Sequence, residues 1–118
     1  MRKLISWVEI PAKDMERAVK FYSKVLNLEL EVMDFGVEKM ACFPGGEGAI
    51  SLASGFNPSR DGVLVSFDTE KDLAGRLKVV EENGGELVKG VTKIEAEGRG
   101  SFALVLDTEG NKVGLYEE

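Results

Sequence analysis

The residues with the clearest chemical potential are Trp7 and Glu9, which flank Val8 near the start of the chain. On a β-strand, alternate side chains share a face, so the indole and the carboxylate point the same way. A carboxylate held against an indole is desolvated and becomes a better proton acceptor, which would make Glu9 a general acid or base. It could equally bind a cationic or hydrogen-donating ligand. The plain alternative is a solvated glutamate at the end of a strand.

The composition excludes several other chemistries. The chain has no histidine, so neither a Ser-His-Asp nor a Cys-His pair can form, and its single cysteine, Cys42, rules out an internal disulfide and a multi-cysteine metal site. Cys42 lies in an apolar stretch and is expected to be a buried, inert thiol. The net charge of −6, with the basic residues spread along the chain, argues against nucleic-acid binding. No apolar run approaches the roughly 18 residues of a membrane span, so no membrane partner is expected, and the predicted location is cytoplasmic.

An internal repeat predicts the elements that must position Glu9. Residues 8–15 and 66–73 each lead from a β-like run through an acidic residue into an amphipathic helix, with Asp14 and Asp72 lying 58 residues apart. A second pair of segments, 43–52 and 106–115, matches at an offset of 63. The difference in offset places a longer loop in the second half, around 95–100. Two similar modules are therefore expected.

Each module is predicted to have the order βαβββ within a single domain spanning residues 1–118. Module one covers 1–54, residues 55–61 form a linker, and module two covers 62–118. The first strand of module one is expected at 4–10, and that of module two at 63–67. The helices are predicted to follow Asp14 and to cover 71–83, since apolar residues recur there at helical spacing. This pattern predicts an α+β fold.

The sequence resembles the vicinal-oxygen-chelate superfamily, which includes glyoxalase I, extradiol dioxygenases, and bleomycin- and fosfomycin-resistance proteins. The resemblance rests on the paired βαβββ repeat, on Phe21-Tyr22 in the first helix, and on Asp107-Thr108-Glu109-Gly110-Asn111 before the last strand. It implies paired modules that form a curved, partly open β-barrel with one helix per module on the outside. It also implies a homodimer and a small-molecule ligand.

The same resemblance implies where a metal would bind. In metal-dependent members, the first strand of each module supplies a ligand, usually His, and the last strand supplies another, usually Glu. Those positions fall on Trp7, Ser51, Val65 and Gly114 in this chain. Indole, isopropyl and hydrogen are not ligands and a lone serine hydroxyl is a weak one. We therefore expect no metal and no other cofactor.

Strand alternation extends this set to an aromatic-walled pocket with one carboxylate, typical of a small-molecule site. Trp7 could stack on a planar ligand or simply fill the space of the metal, and Tyr116 could offer its hydroxyl or serve as packing. Arg60 and Arg99 are candidate gates for an anionic substrate, with a solvated loop arginine as the alternative. The predicted ligand-binding residues are Trp7, Glu9, Ser51, Val65, Phe67, Gly114 and Tyr116.

Three functions compete on this sequence. The first is a protein that binds a small, aromatic or apolar molecule without the usual metal. The second is a glyoxalase-like lyase or isomerase that uses Glu9 as acid or base, although nothing obvious replaces the metal that stabilises an enediolate. The third is an interaction module whose pocket is vestigial. Whether the protein is an enzyme stays open at this point.

Overall fold

The computed structural model describes residues 2–118. Its elements follow the order βαβββ-βαβββ, which confirms the predicted α+β fold and the internal repeat. The first repeat consists of β1 (Val8–Pro11), α1 (Met15–Leu26), β2 (Val32–Asp34), β3 (Glu38–Cys42) and β4 (Gly48–Ala53). The second consists of β5 (Ser66–Asp68), α2 (Leu73–Glu82), β6 (Glu86–Lys93), β7 (Ser101–Leu106) and β8 (Lys112–Glu117). The module boundaries at 54 and 62 stay predictions.

Each repeat forms its own four-stranded sheet, and the two sheets do not close into a barrel. The strand orders are β1-β4-β3-β2 and β5-β8-β7-β6. The first strand of each repeat runs parallel to the last, and all other neighbours are antiparallel. Parallel neighbours need a long connection, and in each repeat this connection contains the helix, α1 in the first and α2 in the second. The connection between β6 and β7 is longer than that between β2 and β3, as the two offsets predicted.

Helix α1 begins where the sequence predicts. Asp14 is its N-cap and accepts a hydrogen bond from the Arg17 N–H at 3.1 Å, while Asn27 ends the helix in the left-handed conformation. The buried face includes Phe21 beside Tyr22. Helix α2 starts after Asp72, whose carboxylate accepts a hydrogen bond from the Gly75 N–H at 3.2 Å.

One prediction about the second sheet is wrong. Val65 and Phe67 were expected to share a face with Gly114, but Ser66 pairs with Gly114 and Asp68 pairs with Tyr116. Two residues separate β1 from the cap Asp14, whereas three separate β5 from the cap Asp72. Because side chains alternate along a strand, a shift of one residue moves every side chain to the other face. Val65 and Phe67 therefore point toward the hydrophobic core.

The two repeats share one core, built around Tyr22. Its ring lies 5.0 Å from Phe21 and 5.6 Å from Phe67 of β5, centroid to centroid, and Phe43 completes the aromatic cluster. Each sheet thus has one face covered by helices and core, and one open face. We call these the first and the second open face, after the repeat that forms them.

A turn of the second repeat, Asp107–Asn111, locks this arrangement. Asp107 is 4% exposed, and its carboxylate accepts hydrogen bonds from the Tyr22 hydroxyl at 2.5 Å and from the Asn111 side-chain amide at 2.9 Å. It also accepts the backbone N–H groups of Glu109 and Asn111. Burial, followed by the nearby Asp107 charge, raises the pKa of Tyr22 well above its usual value, so the phenol keeps the proton that it donates.

The same turn also caps the N-terminus of α1, through Glu109. The Glu109 carboxylate accepts hydrogen bonds from the backbone N–H groups of Lys13 and Asp14, at 2.8 and 2.9 Å, and from the Arg17 guanidinium at 2.7 and 3.0 Å. Burial alone would raise the pKa of Glu109, but the Arg17 hydrogen bond and those backbone donors outweigh it and lower the pKa to about 2. A negative charge at a helix N-terminus is stabilised in this way.

Replacing Tyr22 by Phe should destabilise the fold, because the buried Asp107 loses a donor that water cannot replace. We expect a loss of about 1–3 kcal/mol in the free energy of unfolding, measured by urea denaturation. Tyr116→Phe changes the other tyrosine, which is half-buried and whose hydroxyl bonds with Gly100 and Glu118, and should cost less than Tyr22→Phe, about 0.5–1 kcal/mol, since no buried charge loses a donor. Equal losses in the two variants would contradict this assignment.

Glu109 should make stability depend on acid pH. Its pKa in the folded protein lies below its usual value of 4.5, so its contribution is complete above pH 4.5 and disappears as the pH falls toward 2. Glu109→Gln should therefore cost about 1.5–3 kcal/mol at pH 7 and progressively less as the pH falls below 4.5. Urea denaturation across this range measures the difference, and a cost independent of pH would contradict the mechanism.

Candidate functional site

The second open face contains a cavity next to the closing strand β8. The pairing of β5 with β8 directs Ser66, Asp68, Gly114 and Tyr116 to this face. The pairing of β7 with β8 adds Phe102 and Leu104. The cavity has a volume of about 340 Å³ and is lined by Leu64, Ser66, Asp68, Ile94, Arg99, Phe102, Leu104 and Tyr116. Apolar and aromatic walls with a few polar groups are typical of a small-molecule site.

Tyr116 is held firmly in this cavity. Its hydroxyl accepts a hydrogen bond from the Gly100 N–H at 3.1 Å and donates one to the Glu118 carboxylate at 2.9 Å. The Arg99 guanidinium lies over its ring, 5.5 Å from the centroid, a distance at which a cation is attracted to an aromatic face. The loop between β6 and β7 therefore borders the cavity through Arg99.

The first open face contains Glu9 and Ser51, two of the residues predicted to bind ligand. The Ser51 hydroxyl donates a hydrogen bond to the Glu9 carboxylate at 2.8 Å. Ser51 is buried, while Glu9 is exposed to solvent. Met40 pairs with Ser51 and Met33 with Met40, so both methionines share this face. The hydrogen bond between Glu9 and Ser51 links β1 to β4, and the Glu9 side of the pair faces solvent.

Val65 and Phe67 line a different cavity, with a volume of about 920 Å³, which also contacts Leu26, Leu28 and Phe43. Ser66 and Asp68 of β5 border both this cavity and the one beside β8. Trp7 precedes β1 and is 42% exposed. The seven residues predicted to bind ligand thus fall into separate places, and one chain does not bring them together in one pocket. Their role in binding stays a prediction.

Sequence reasoning missed Ser66 and Asp68, because the additional residue between β5 and Asp72 gives no signal in composition or periodicity. Glu70 in this connection and the cap Asp72 adopt positive φ angles of 67° and 60°. A glycine at either position would have indicated such a conformation in the sequence, but Glu and Asp do not. Phe102 and Leu104 could have been found, since they alternate along a strand that the sequence predicts well.

The residues at the implied metal positions do not fit a metal. Ser51 and Gly114 lie on different open faces, Val65 points to the core, and Trp7 carries an indole. A Cβ atom added at Gly114 would lie 2.4 Å from the Ser66 hydroxyl oxygen, so even a small side chain would disturb this position. Within residues 2–118, no three His, Cys, Asp or Glu side chains converge in a way that could hold an ion.

Variants of Glu9 should separate its hydrogen bond from its charge. Glu9→Gln keeps an oxygen that can accept the Ser51 hydroxyl, so the free energy of unfolding should change by less than about 0.5 kcal/mol. Glu9→Leu leaves the buried hydroxyl without this partner and should cost about 1–3 kcal/mol. Urea denaturation measures both. A large loss in Glu9→Gln would instead reveal a stabilising role for the charge.

Comparisons with known proteins agree with this architecture. The sequence matches the model of the Glyoxalase/Bleomycin resistance protein/Dioxygenase superfamily over residues 4–115. A glyoxylase-like domain-containing protein of Didymella fabae is 33% identical over 116 residues, which cover 91% of this chain and 88% of that protein. No helix formed by residues 2–118 combines the length and apolar character needed to cross a membrane.

Solved structures with the same fold differ widely in sequence. A glyoxalase/bleomycin resistance protein from Albidiferax ferrireducens has a TM-score of 0.71 at 16% identity, covering 98% of this chain and 100% of its own. A genomically encoded fosfomycin resistance protein from Listeria monocytogenes has a TM-score of 0.68 at 17% identity, covering 100% and 93%. These likenesses establish the fold, and the family match over nearly the whole sequence establishes the kinship. The chain belongs to the Glyoxalase/Bleomycin resistance protein/Dioxygenase superfamily.

Proposed function

We propose that this protein binds a small, aromatic or apolar molecule on its second open face, without the metal implied by the fold. The observation that carries the proposal is the 340 Å³ cavity beside β8, where Phe102, Leu104 and Tyr116 form the walls. Its volume lies near the lower end of the range for small-molecule pockets, which fits a ligand with a single ring. Aromatic walls favour a planar ligand, which can stack on them.

The donor set supports binding without a metal. The last-strand positions Ser51 and Gly114 offer one weak ligand and none, and the chain has no histidine. Gly114 and Ser66 lie against each other on β8 and β5, where a larger side chain at position 114 would require the Ser66 hydroxyl to move. A ligand would therefore be recognised by apolar contact, by stacking, by hydrogen bonds from Ser66, Arg99 and Tyr116, and by donating a hydrogen bond to Asp68.

A homodimer is part of the proposal. The helix-covered faces of the two sheets share one core, so the two open faces do not meet within one chain. Glu9 and Ser51 lie on the first open face, whereas Gly114 and Tyr116 lie on the second. Apolar side chains beside β1 and β5 remain exposed, among them Trp7 at 42% and Val63 at 92%, and such patches mark interaction sites. We infer that the first open face of one protomer covers the second open face of its partner.

The alternative, a lyase or isomerase using Glu9, rests on weaker support. In one chain Glu9 is exposed and is engaged by Ser51, and it lies on the open face that does not carry the Tyr116 cavity. A general base must come within hydrogen-bond reach of its substrate, which here would require the dimer. The predicted cytoplasmic location also stays a prediction.

The function is tested by titrating 15N-labelled protein with indole and with benzyl alcohol. Saturable shifts in the amide signals of Ser66, Gly114 and Tyr116 are expected, and Phe102→Ala should weaken binding about tenfold because it removes a stacking wall. Phe35→Ala removes an exposed phenylalanine from the turn after β2 and should leave affinity unchanged.

A parallel thermal-shift titration of EDTA-treated protein with Mg, Mn, Fe(II), Co, Ni and Zn should show no stabilisation. A ligand at 100 times its dissociation constant adds about 2.7 kcal/mol and raises Tm by several degrees. A saturable shift with one metal, or equal effects of the two phenylalanine variants, would contradict the proposal.

A further inference from the structure

Arg99 places an uncommitted positive charge at the edge of the second-face cavity. The side chain is exposed and its guanidinium lies over Tyr116. Among residues 2–118, the only ion pair with an N–O distance within 4.0 Å is that of Arg17 with Glu109. Arg99 therefore has no carboxylate partner within the described chain. Its planar fork of donors is therefore available to a ligand, and this geometry suits a carboxylate, which can accept two parallel hydrogen bonds.

The loop that carries Arg99 is fixed rather than loosely attached. The Lys93 ammonium donates a hydrogen bond to the Arg99 carbonyl at 2.6 Å, and the Arg99 N–H donates one to the Ala96 carbonyl at 3.1 Å. Gly100 is buried against the end of β8, where a Cβ atom would lie 1.9 Å from the Glu117 carbonyl oxygen. The backbone on both sides of Arg99 is thus held, which keeps the base of its side chain at the edge of the cavity.

The other side of the cavity has the opposite charge. Asp68 pairs with Tyr116 from β5, whereas Arg99 approaches Tyr116 from the loop between β6 and β7. One Asp68 oxygen accepts the Glu70 N–H at 2.7 Å, which leaves the second oxygen able to accept another donor. A ligand lying over Tyr116 thus meets a cation at one end and a hydrogen-bond acceptor at the other.

From this juxtaposition we propose that the ligand class is a single-ring aromatic carboxylic acid with a hydrogen-bond donor on its far side. The carboxylate binds Arg99, the ring packs on Tyr116 and Phe102, and the donor reaches Asp68. This inference rests on the proposed function, because it names the ligand of the same cavity. Arg99 and Asp68 determine specificity, and no covalent step is involved.

The test compares 4-hydroxybenzoate with its neutral analogue 4-hydroxybenzamide by calorimetric titration at pH 7. The acid should bind at least about tenfold more tightly than the amide, since its charge strengthens the hydrogen bonds to Arg99. Arg99→Gln should abolish this preference by weakening the acid alone. Arg60→Gln is the matched control, because this second candidate gate is an exposed arginine in the segment between the two repeats and does not line the cavity, and it should leave both affinities unchanged.

The outcomes separate the two proposals. Equal binding of acid and amide, or equal effects of the two arginine variants, overturns the carboxylate assignment. If indole still shifts the amide signals of Gly114 and Tyr116, the proposed function survives that result. If neither the acid, the amide nor indole binds, both proposals fail. Retention of the preference in Arg99→Gln would also overturn the assignment, since the charge would then come from elsewhere.

Discussion

The buried carboxylate of Asp107 is the interaction on which the arrangement of the two repeats depends. A buried charge is costly unless every lone pair is satisfied, and Asp107 meets this condition with four donors, one of them the Tyr22 hydroxyl from the other repeat. Asn111, in the same turn, donates to the Pro11 carbonyl and accepts from the Ser59 N–H. The turn therefore joins α1, β1 and the segment between the repeats. Because this network fixes the helix-covered faces against each other, it also fixes the directions of the two open faces.

This constraint explains why the candidate site is divided. A pair of repeats packed through their helices must turn their open faces away from the shared core, so the polar pair of Glu9 and Ser51 cannot meet Gly114 and Tyr116 within one chain. The division is a consequence of packing and not of missing residues. In the proposed homodimer, a second copy of the chain would supply the facing half without any change in the fold, and two-fold symmetry would form two equivalent sites.

Much of the fold could be predicted because its signals are local. The Asp14 cap, the helical stripe of α1 and the turn before β8 all follow from short patterns, and the repeat then fixes the element order. Register is different, since it depends on strand pairing. Asp14 and Asp72 both cap a helix, but the connection between β5 and Asp72, which contains Glu70, is one residue longer than that between β1 and Asp14. Counting back from the cap therefore predicted Phe67 at the cavity, where the structure has Asp68. The Tyr22–Asp107 contact also escaped prediction, because it joins residues 85 positions apart.

Without ligating side chains at the positions of Trp7, Ser51, Val65 and Gly114, this chain must orient a ligand by other means. A metal in this fold would orient its ligand by coordination, which needs only a few donor atoms from the ligand. For the ligand proposed here, orientation would instead come from the rim of the cavity, where Asp68 and Arg99 lie on different sides of Tyr116. Such a rim would distinguish ligands by the charge at each end, because a buried polar group left without a partner is costly. The hydrogen bonds that hold the backbone of Arg99 in place would favour this discrimination, because less conformational freedom is lost when its side chain binds a carboxylate.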